Sequence, residues 1–216
     1  MSRYILSADY HLGHSNILKY ANRPFATAFE MNEAIIKNHN ERVKPDDIFI
    51  HNGDFLFKHN KALDTEAGGR PVKADEWLAR LNGQKIMIMG NHDAQGGLKT
   101  YITSLNLYFA NQKIHVVHNP SHADPNCPIN LVGHVHQNWK IRYFKDHYEI
   151  IRQLVMKNIE NGSDKPDFIE FLERNRPHRD SDSVLLNVGL DVQNLRPVTL
   201  DECCGQVIRF RKGITI

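Results

Sequence analysis

Five apolar segments of this chain each run directly into a short polar motif, and that repetition limits the fold more than any single motif does. Tyr4–Ala8 leads into Asp9-Tyr10-His11, and Asp47–Asn52 into Gly53-Asp54. Lys85–Met89 leads into Gly90-Asn91-His92-Asp93, Lys113–Val117 into His118-Asn119-Pro120, and Ile129–Val132 into Gly133-His134-Val135-His136. Each apolar run has the length of a buried strand and is too short to cross a bilayer. A buried strand does not carry Asp, Asn and His without partners, so the motifs belong to strand ends. Helical patterns lie between the strands, and that alternation predicts an α/β domain. In such domains ligand sites collect at the carboxyl ends of the strands.

The intervening patterns predict several helices. Ser15 is a cap for a short helix through Tyr20. Thr27-Ala28-Phe29-Glu30 has the form of a capping box, followed by Met31, Ala34 and Ile35, in a helix that ends before Pro45. Ala74 to Asn82 reads as a helix with Trp77, Leu78 and Leu81 inward and Gly83 as its stop. Another is expected over Leu98 to Asn106. The stretch from about 139 to 180 departs from the strand rhythm and reads as a helical insertion within a single domain spanning 1–216. It opens near Asp146, with Ile151, Leu154, Val155 and Ile159 at helical spacing, and a second helix is expected near Pro166. Strand rhythm returns at Val184–Val188 and at Gln206–Phe210.

A chain of 216 residues with 41% hydrophobic and 24% charged content has the composition of a globular domain with a substantial core. A formal charge of +2 does not by itself call for nucleic acid or an anionic membrane as partner. Cys127, Cys203 and Cys204 lack C-x-x-C spacing, which argues against a disulfide framework or a thiolate zinc site and fits a reducing compartment. Without an apolar leader or a spanning segment, the expected location is the cytoplasm. Thirteen histidines are the compositional anomaly, and several of them fall in the strand endings.

Brought to one sheet edge, the endings supply two carboxylates (Asp9, Asp54), an amide oxygen (Asn91) and imidazoles from His11, His118, His134 and His136. Mixed nitrogen and oxygen ligands without thiolate suit manganese first, with iron, zinc, nickel, cobalt or magnesium as other fits. Seven ligands are too many for one tetrahedral ion and suit two divalent metal ions that share a carboxylate.

In this order and spacing, the five motifs resemble the calcineurin-like metallophosphoesterase superfamily, its small prokaryotic and phage branch in particular. Asp9-Tyr10-His11-Leu12-Gly13-His14-Ser15-Asn16-Ile17 is similar to the opening of that branch, and Asn187-Val188-Gly189-Leu190-Asp191 to its closing strand region. The resemblance implies a four-layer α/β/β/α sandwich with two mixed β-sheets. It implies that Asp9, His11 and His136 bind a first metal, that Asn91, His118 and His134 bind a second, and that Asp54 bridges them. It further implies phosphate-ester hydrolysis by a metal-activated hydroxide. His92 would be the catalytic acid toward the leaving oxygen or a clamp on the phosphoryl group.

Other residues carry open readings. Asp93 either supports His92 or only completes the turn. His14 and Arg23 are candidates for substrate phosphate contact, against ordinary loop residues. His118 is favoured over His115 because it sits at the strand end, and His51 reads as a packed or supporting histidine. His39, His59, His122, His147 and His178 read as surface residues. The run Arg174, Arg176, His178, Arg179 is either a solvated loop or a steering patch for nucleic acid or nucleotides. The expected substrate is a small nucleotide-like phosphodiester or phosphomonoester. The alternatives are a nuclease acting on DNA or RNA and a catalytically silent binding module.

Overall fold

The structure is a computed structural model and describes residues 2–57, 72–160 and 182–216. In chain order the first sheet is built from β1 (Tyr4–Ser7), β2 (Ile48–Asn52), β3 (Gln84–Ile88) and β9 (Val198–Thr199), arranged β3-β2-β1-β9. The second holds β4 (Ser104–Phe109), β5 (Gln112–Val117), β6 (Ile129–Val132), β7 (Ile141–Tyr143) and β8 (Val184–Asn187), arranged β4-β5-β6-β8-β7. Both sheets are mixed. β1, β2 and β3 are parallel, as are β5, β6 and β8, while β9, β4 and β7 pair antiparallel at the edges.

Strand alternation assigns the layers. Leu6, Ala8, Ile50 and Ile88 meet Ile114, Val116, Leu131 and Leu186 in a core between the sheets. Ile5, Phe49 and Met87 point the other way and pack against Met31 and Ile35 of α2 (Ala28–Arg42) and Trp77 of α3 (Ala74–Ala79). On the opposite outer face, Val117, Val132 and Leu185 pack against Phe144, Tyr148 and Val155 of α5 (Phe144–Glu160). Helix, sheet, sheet and helix thus form the expected four layers. Among the described residues no helix is long and apolar enough to cross a membrane.

Asn52 staples the two sheets at the functional edge. At the end of β2 its side-chain amide donates to the carbonyls of Val117 (3.0 Å) and Leu131 (3.1 Å), in β5 and β6. A parallel bridge between Ala8 and Gly189 joins the end of β1 to the segment after β8. The carboxyl ends of six parallel strands therefore open at one edge.

Several local expectations change. The segment Leu98–Asn106 is not a helix: only Asp93–Gly96 (α4) is helical there, and β4 begins at Ser104. β4 pairs with β5 through Ala110 and Asn111, both with positive φ (48° and 59°), a tight turn whose twist suits a hairpin. Gln206–Phe210 is not a strand but part of α6 (Leu200–Arg211). A reciprocal capping box of Thr199 and Glu202 starts that helix, and Leu200, Cys203 and Val207 bury one stripe of it. Tertiary burial at helical spacing outweighs the β-propensity of Val207-Ile208. The short helix α1 (Ile17–Tyr20) is preceded by Asn16 rather than Ser15 as its cap residue. The second helix expected near Pro166 and the basic run from Arg174 to Arg179 lie outside the described residues, as do His59 and His178.

His39 and His147 are buried, not at the surface. His39 bridges the Tyr10 hydroxyl (2.9 Å) and the Asn82 carbonyl (3.0 Å), and its burial pushes its pKa down to about 4. His147 packs beside Trp139 and, among the described residues, has no hydrogen-bond partner on either ring nitrogen; burial takes its pKa to about 4 as well. His122 is exposed, as expected.

Candidate metal centre

Every predicted ligand lies in a loop that leaves a parallel strand. Asp9 and His11 follow β1, Asp54 follows β2, Asn91 follows β3, His118 follows β5, and His134 and His136 follow β6. Five of them hold the left-handed backbone: Asp9 (φ 59°), His11 (50°), Asp54 (56°), His134 (71°) and His136 (45°). Non-glycine residues adopt this region at a cost of order 1–3 kcal/mol each, and such strain concentrates at functional sites. Two glycines permit the close packing. A Cβ on Gly53 (φ 84°) would lie 2.4 Å from the His118 ring, and one on Gly90 would lie 2.2 Å from the Asp54 main-chain nitrogen.

The ligand atoms form two clusters. Asp9, His11 and His136 bring one donor atom each within 4.8 Å of one another, and Asp54, His118 and His134 do the same. Asn91 Oδ1 joins the second cluster, 3.2 Å from His118 Nε2 and 3.0 Å from His134 Nδ1. Asp54 Oδ2 faces both, at 3.3 Å from His118 Nε2 and 3.6 Å from His11 Nε2. Asp9 Oδ1 lies 4.0 Å from His11 Nε2 and accepts from the His134 main-chain nitrogen at 3.1 Å, so the first carboxylate also ties down the loop after β6.

This donor set fits divalent cations. Both ring nitrogens of His11 are buried without a hydrogen-bond partner among the described residues, and its Nε2 lies 4.0 Å from Asp9 Oδ1 and 3.6 Å from Asp54 Oδ2, which leaves a nitrogen lone pair for a cation beside two carboxylates. His118 Nδ1 is 2.9 Å from the Asn52 carbonyl, which places the proton on Nδ1 and leaves Nε2 as donor to a metal. Burial pushes the Asp9 pKa up to about 6, despite the opposing pull of His118 and His136. Burial also acts to raise Asp54, but His118, His11 and the His92 main-chain N–H outweigh it and hold that carboxyl below its usual range. The same carboxylates overcome burial at His118 and lift it to about 9.

His92 has its Nε2 4.0 Å from Asp54 Oδ2, and its main-chain N–H donates to Asp54 Oδ1 at 3.0 Å. Asp93 takes neither of its two expected roles in simple form. Fully buried, it accepts from Gly90 and Asp54 (both 2.8 Å) through Oδ2 and from Phe55 (2.8 Å) and Leu56 (3.3 Å) through Oδ1. It therefore binds the Asp54 loop to the end of β3. His115 turns away from the centre to Asn106, and His51 is packed among Tyr10, Phe49 and Phe55. His14 stacks on Phe57, with centroids 3.7 Å apart and planes 15° from parallel, beside the His92 ring.

Arg23 is a correction. Its guanidinium does not face substrate but is buried, with Nε, Nη1 and Nη2 all engaged by Asp191, the carbonyls of Asp9 and Tyr10, and the Met31 sulfur. Sequence reasoning missed Asp191, whose Oδ2 lies 2.7 Å from His136 Nδ1. It sits in a sixth strand ending, after β8, and the signal for it was the quoted Asn187-Val188-Gly189-Leu190-Asp191 motif.

An α/β/β/α sandwich with two carboxylate–histidine clusters at its strand ends defines a metal-dependent phosphoesterase. The profile of the calcineurin-like phosphoesterase family matches residues 3–198, and the chain belongs to that family. It is 34% identical over 201 residues to an uncharacterized protein of Methanocaldococcus jannaschii, covering 93% of this chain and 89% of that one. A crystal structure of a protein of unknown function from Aquifex aeolicus shares the fold, with TM-score 0.56 and 18% identity over 95% of this chain and 100% of that one.

Proposed function

We infer that this phosphoesterase uses two divalent cations, manganese foremost, to hydrolyse a small nucleotide-like phosphodiester or phosphomonoester. The carrying observation is the position of Asp54 Oδ2, within 3.6 Å of an imidazole nitrogen from each ligand cluster. Asp9, His11 and His136 would hold one cation, Asn91, His118 and His134 the other, and Asp54 both. Such cations, when bound, would supply a water of lowered pKa and offset charge on the phosphoryl oxygens.

The chain's own residues do the rest. Asn91 and His134 lie at the solvent side of the centre, so substrate phosphate approaches there. His92, on the same side, is placed to give a proton to the departing alkoxide, and its main-chain hydrogen bond to Asp54 fixes where the ring starts. The stacked His14–Phe57 pair, with Tyr20 69% exposed and 6.2 Å from His14, forms an aromatic wall beside His92. A wall of this kind favours a planar leaving group such as a nucleoside. The family match over 3–198 supports one domain, with α5 opening the helical insertion. Three free thiols fit a reducing, cytoplasmic setting.

The test is turnover by metal-reconstituted protein on an aryl phosphodiester, an aryl monoester, cyclic nucleotides and oligonucleotides, each with and without chelator. The expected result is hydrolysis of a small ester that chelator abolishes. Preference for oligonucleotides would favour the nuclease, and no turnover on any substrate would favour the silent binding module.

A further inference from the structure

We propose that Arg23 and Asp191 are positioning residues that assemble the first half of the centre and set its affinity for a cation. The inference rests on the two-cation reading above. Its basis is a single buried guanidinium shared between two ligands. Arg23 Nη2 donates to the carbonyl of Asp9 at 2.6 Å, and Nη1 to the carbonyl of Tyr10 at 2.9 Å. These contacts hold the main chain between the two left-handed residues Asp9 and His11. The same side chain forks onto Asp191, with Nε to Oδ1 at 2.8 Å and Nη2 to Oδ2 at 3.1 Å. His136 Nδ1–H in turn donates a hydrogen bond to Asp191 Oδ2 at 2.7 Å. With its proton fixed on Nδ1, His136 must present Nε2 toward Asp9 and His11.

Three loops, after β1, β6 and β8, are thereby closed around one charge pair whose side chains are 1% and 2% exposed. A buried ion pair contributes little net stability over an apolar replacement, so stability alone does not account for this one. Its directional bonds do: apart from a contact to the Met31 sulfur, those that leave the pair end on Asp9, on its neighbour Tyr10 and on His136. Carboxylate partners of metal-binding histidines make the imidazole more basic, and their loss lowers metal affinity about 10- to 100-fold.

The experiment is calorimetric titration of the apo chain with manganese(II), with metal analysis after gel filtration, on wild type, Asp191→Asn, Asp191→Ala and Arg23→Lys. Wild type should take up two cations. The Asp191 variants should bind one of them about 10- to 100-fold more weakly while the other keeps its wild-type affinity. Arg23→Lys keeps the charge without the fork and should fall between. Folded Asp191→Asn with two cations at wild-type affinity would overturn the proposal, as would equal weakening of both. A wild-type chain that binds no cation would instead refute the two-cation reading. A second measurement needs no variant. In the magnesium- or zinc-loaded wild type, long-range proton–nitrogen correlation should place the His136 proton on Nδ1, and a proton on Nε2 would sink the proposal.

Discussion

In the half of the centre made by Asp9, His11 and His136, a buried charged pair holds Asp9 and His136, whereas in the half made by Asp54, Asn91, His118 and His134, Asp93 braces Asp54 and a backbone carbonyl braces His118. The first half is the more enclosed: Asp9 and His11 are 0% and 1% exposed, and His136 is half-buried. The second half also has two buried members, Asp54 and His118, but opens to solvent at Asn91, beside a half-buried His134. Asp191 acts on a ligand side chain, through His136 Nδ1. Asp93 acts only on main chain, fixing where Asp54 begins. The difference teaches a division of labour within one ligand chemistry. On the two-cation proposal, enclosure would keep one cation desolvated and the exposed side would admit phosphate, with the Asp54 carboxylate serving both.

That comparison can be broken most directly at Asp54. Asp54→Ala removes the one group common to the halves, and kcat/KM should fall on the order of 10⁴-fold or more. Turnover within tenfold of wild type, measured with two cations per chain, would mean the halves do not share it. His92→Ala is expected to lower kcat about 10²- to 10⁴-fold with both cations retained. The hydrogen bond from residue 92 to Asp54 is a main-chain one and survives the change. Loss of a cation in that variant would show His92 to be a ligand rather than an acid.

Asp93→Ala leaves three main-chain N–H groups of the Asp54 loop, and that of Gly90, without their acceptor. Denaturant unfolding should report a loss of about 3 kcal/mol or more. The open half should lose its cation first, and simultaneous release from both would erase the asymmetry.

The smallest effect comes from a residue remote from either half. His147 has its folded pKa depressed to about 4 by burial. A histidine so depressed contributes stability that is present above its unfolded pKa and lost as the pH falls toward the folded value. Between neutrality and pH 5, the wild type should lose about 2 kcal/mol through this group. His147→Phe should remove that part of the pH dependence and leave cation affinities unchanged. Equal acid sensitivity in wild type and variant, followed by denaturation across that range, would show that His147 does not titrate as described.

What could be read without coordinates follows from how local each signal is. A buried strand with a polar ending is a matter of neighbours in sequence, so Asp9, His11, Asp54, Asn91, His118, His134 and His136 were all legible. The capping box at Thr199 was legible in principle too, since Glu202 stands three residues on, but the Val207-Ile208 run obscured it. The β4–β5 hairpin was missed because its turn residues, Ala110 and Asn111, lack the glycine that marks such turns.

By itself, then, the sequence determined which residues meet in the two clusters, their order along the chain and the α/β class of fold, because periodicity and strand endings are written in consecutive residues, while the four-layer arrangement came with the family resemblance. Tertiary structure alone decided which charges face inward. Arg23 reads as a loop residue or a phosphate contact until Asp191, 168 residues away, is brought against it. His39 and His147 read as surface residues until packing removes their water. Asp93 reads as the end of a turn until the Asp54 loop folds over its two oxygens. In each case the deciding partner is distant in sequence, and desolvation together with directional hydrogen bonding acts only once the chain has closed.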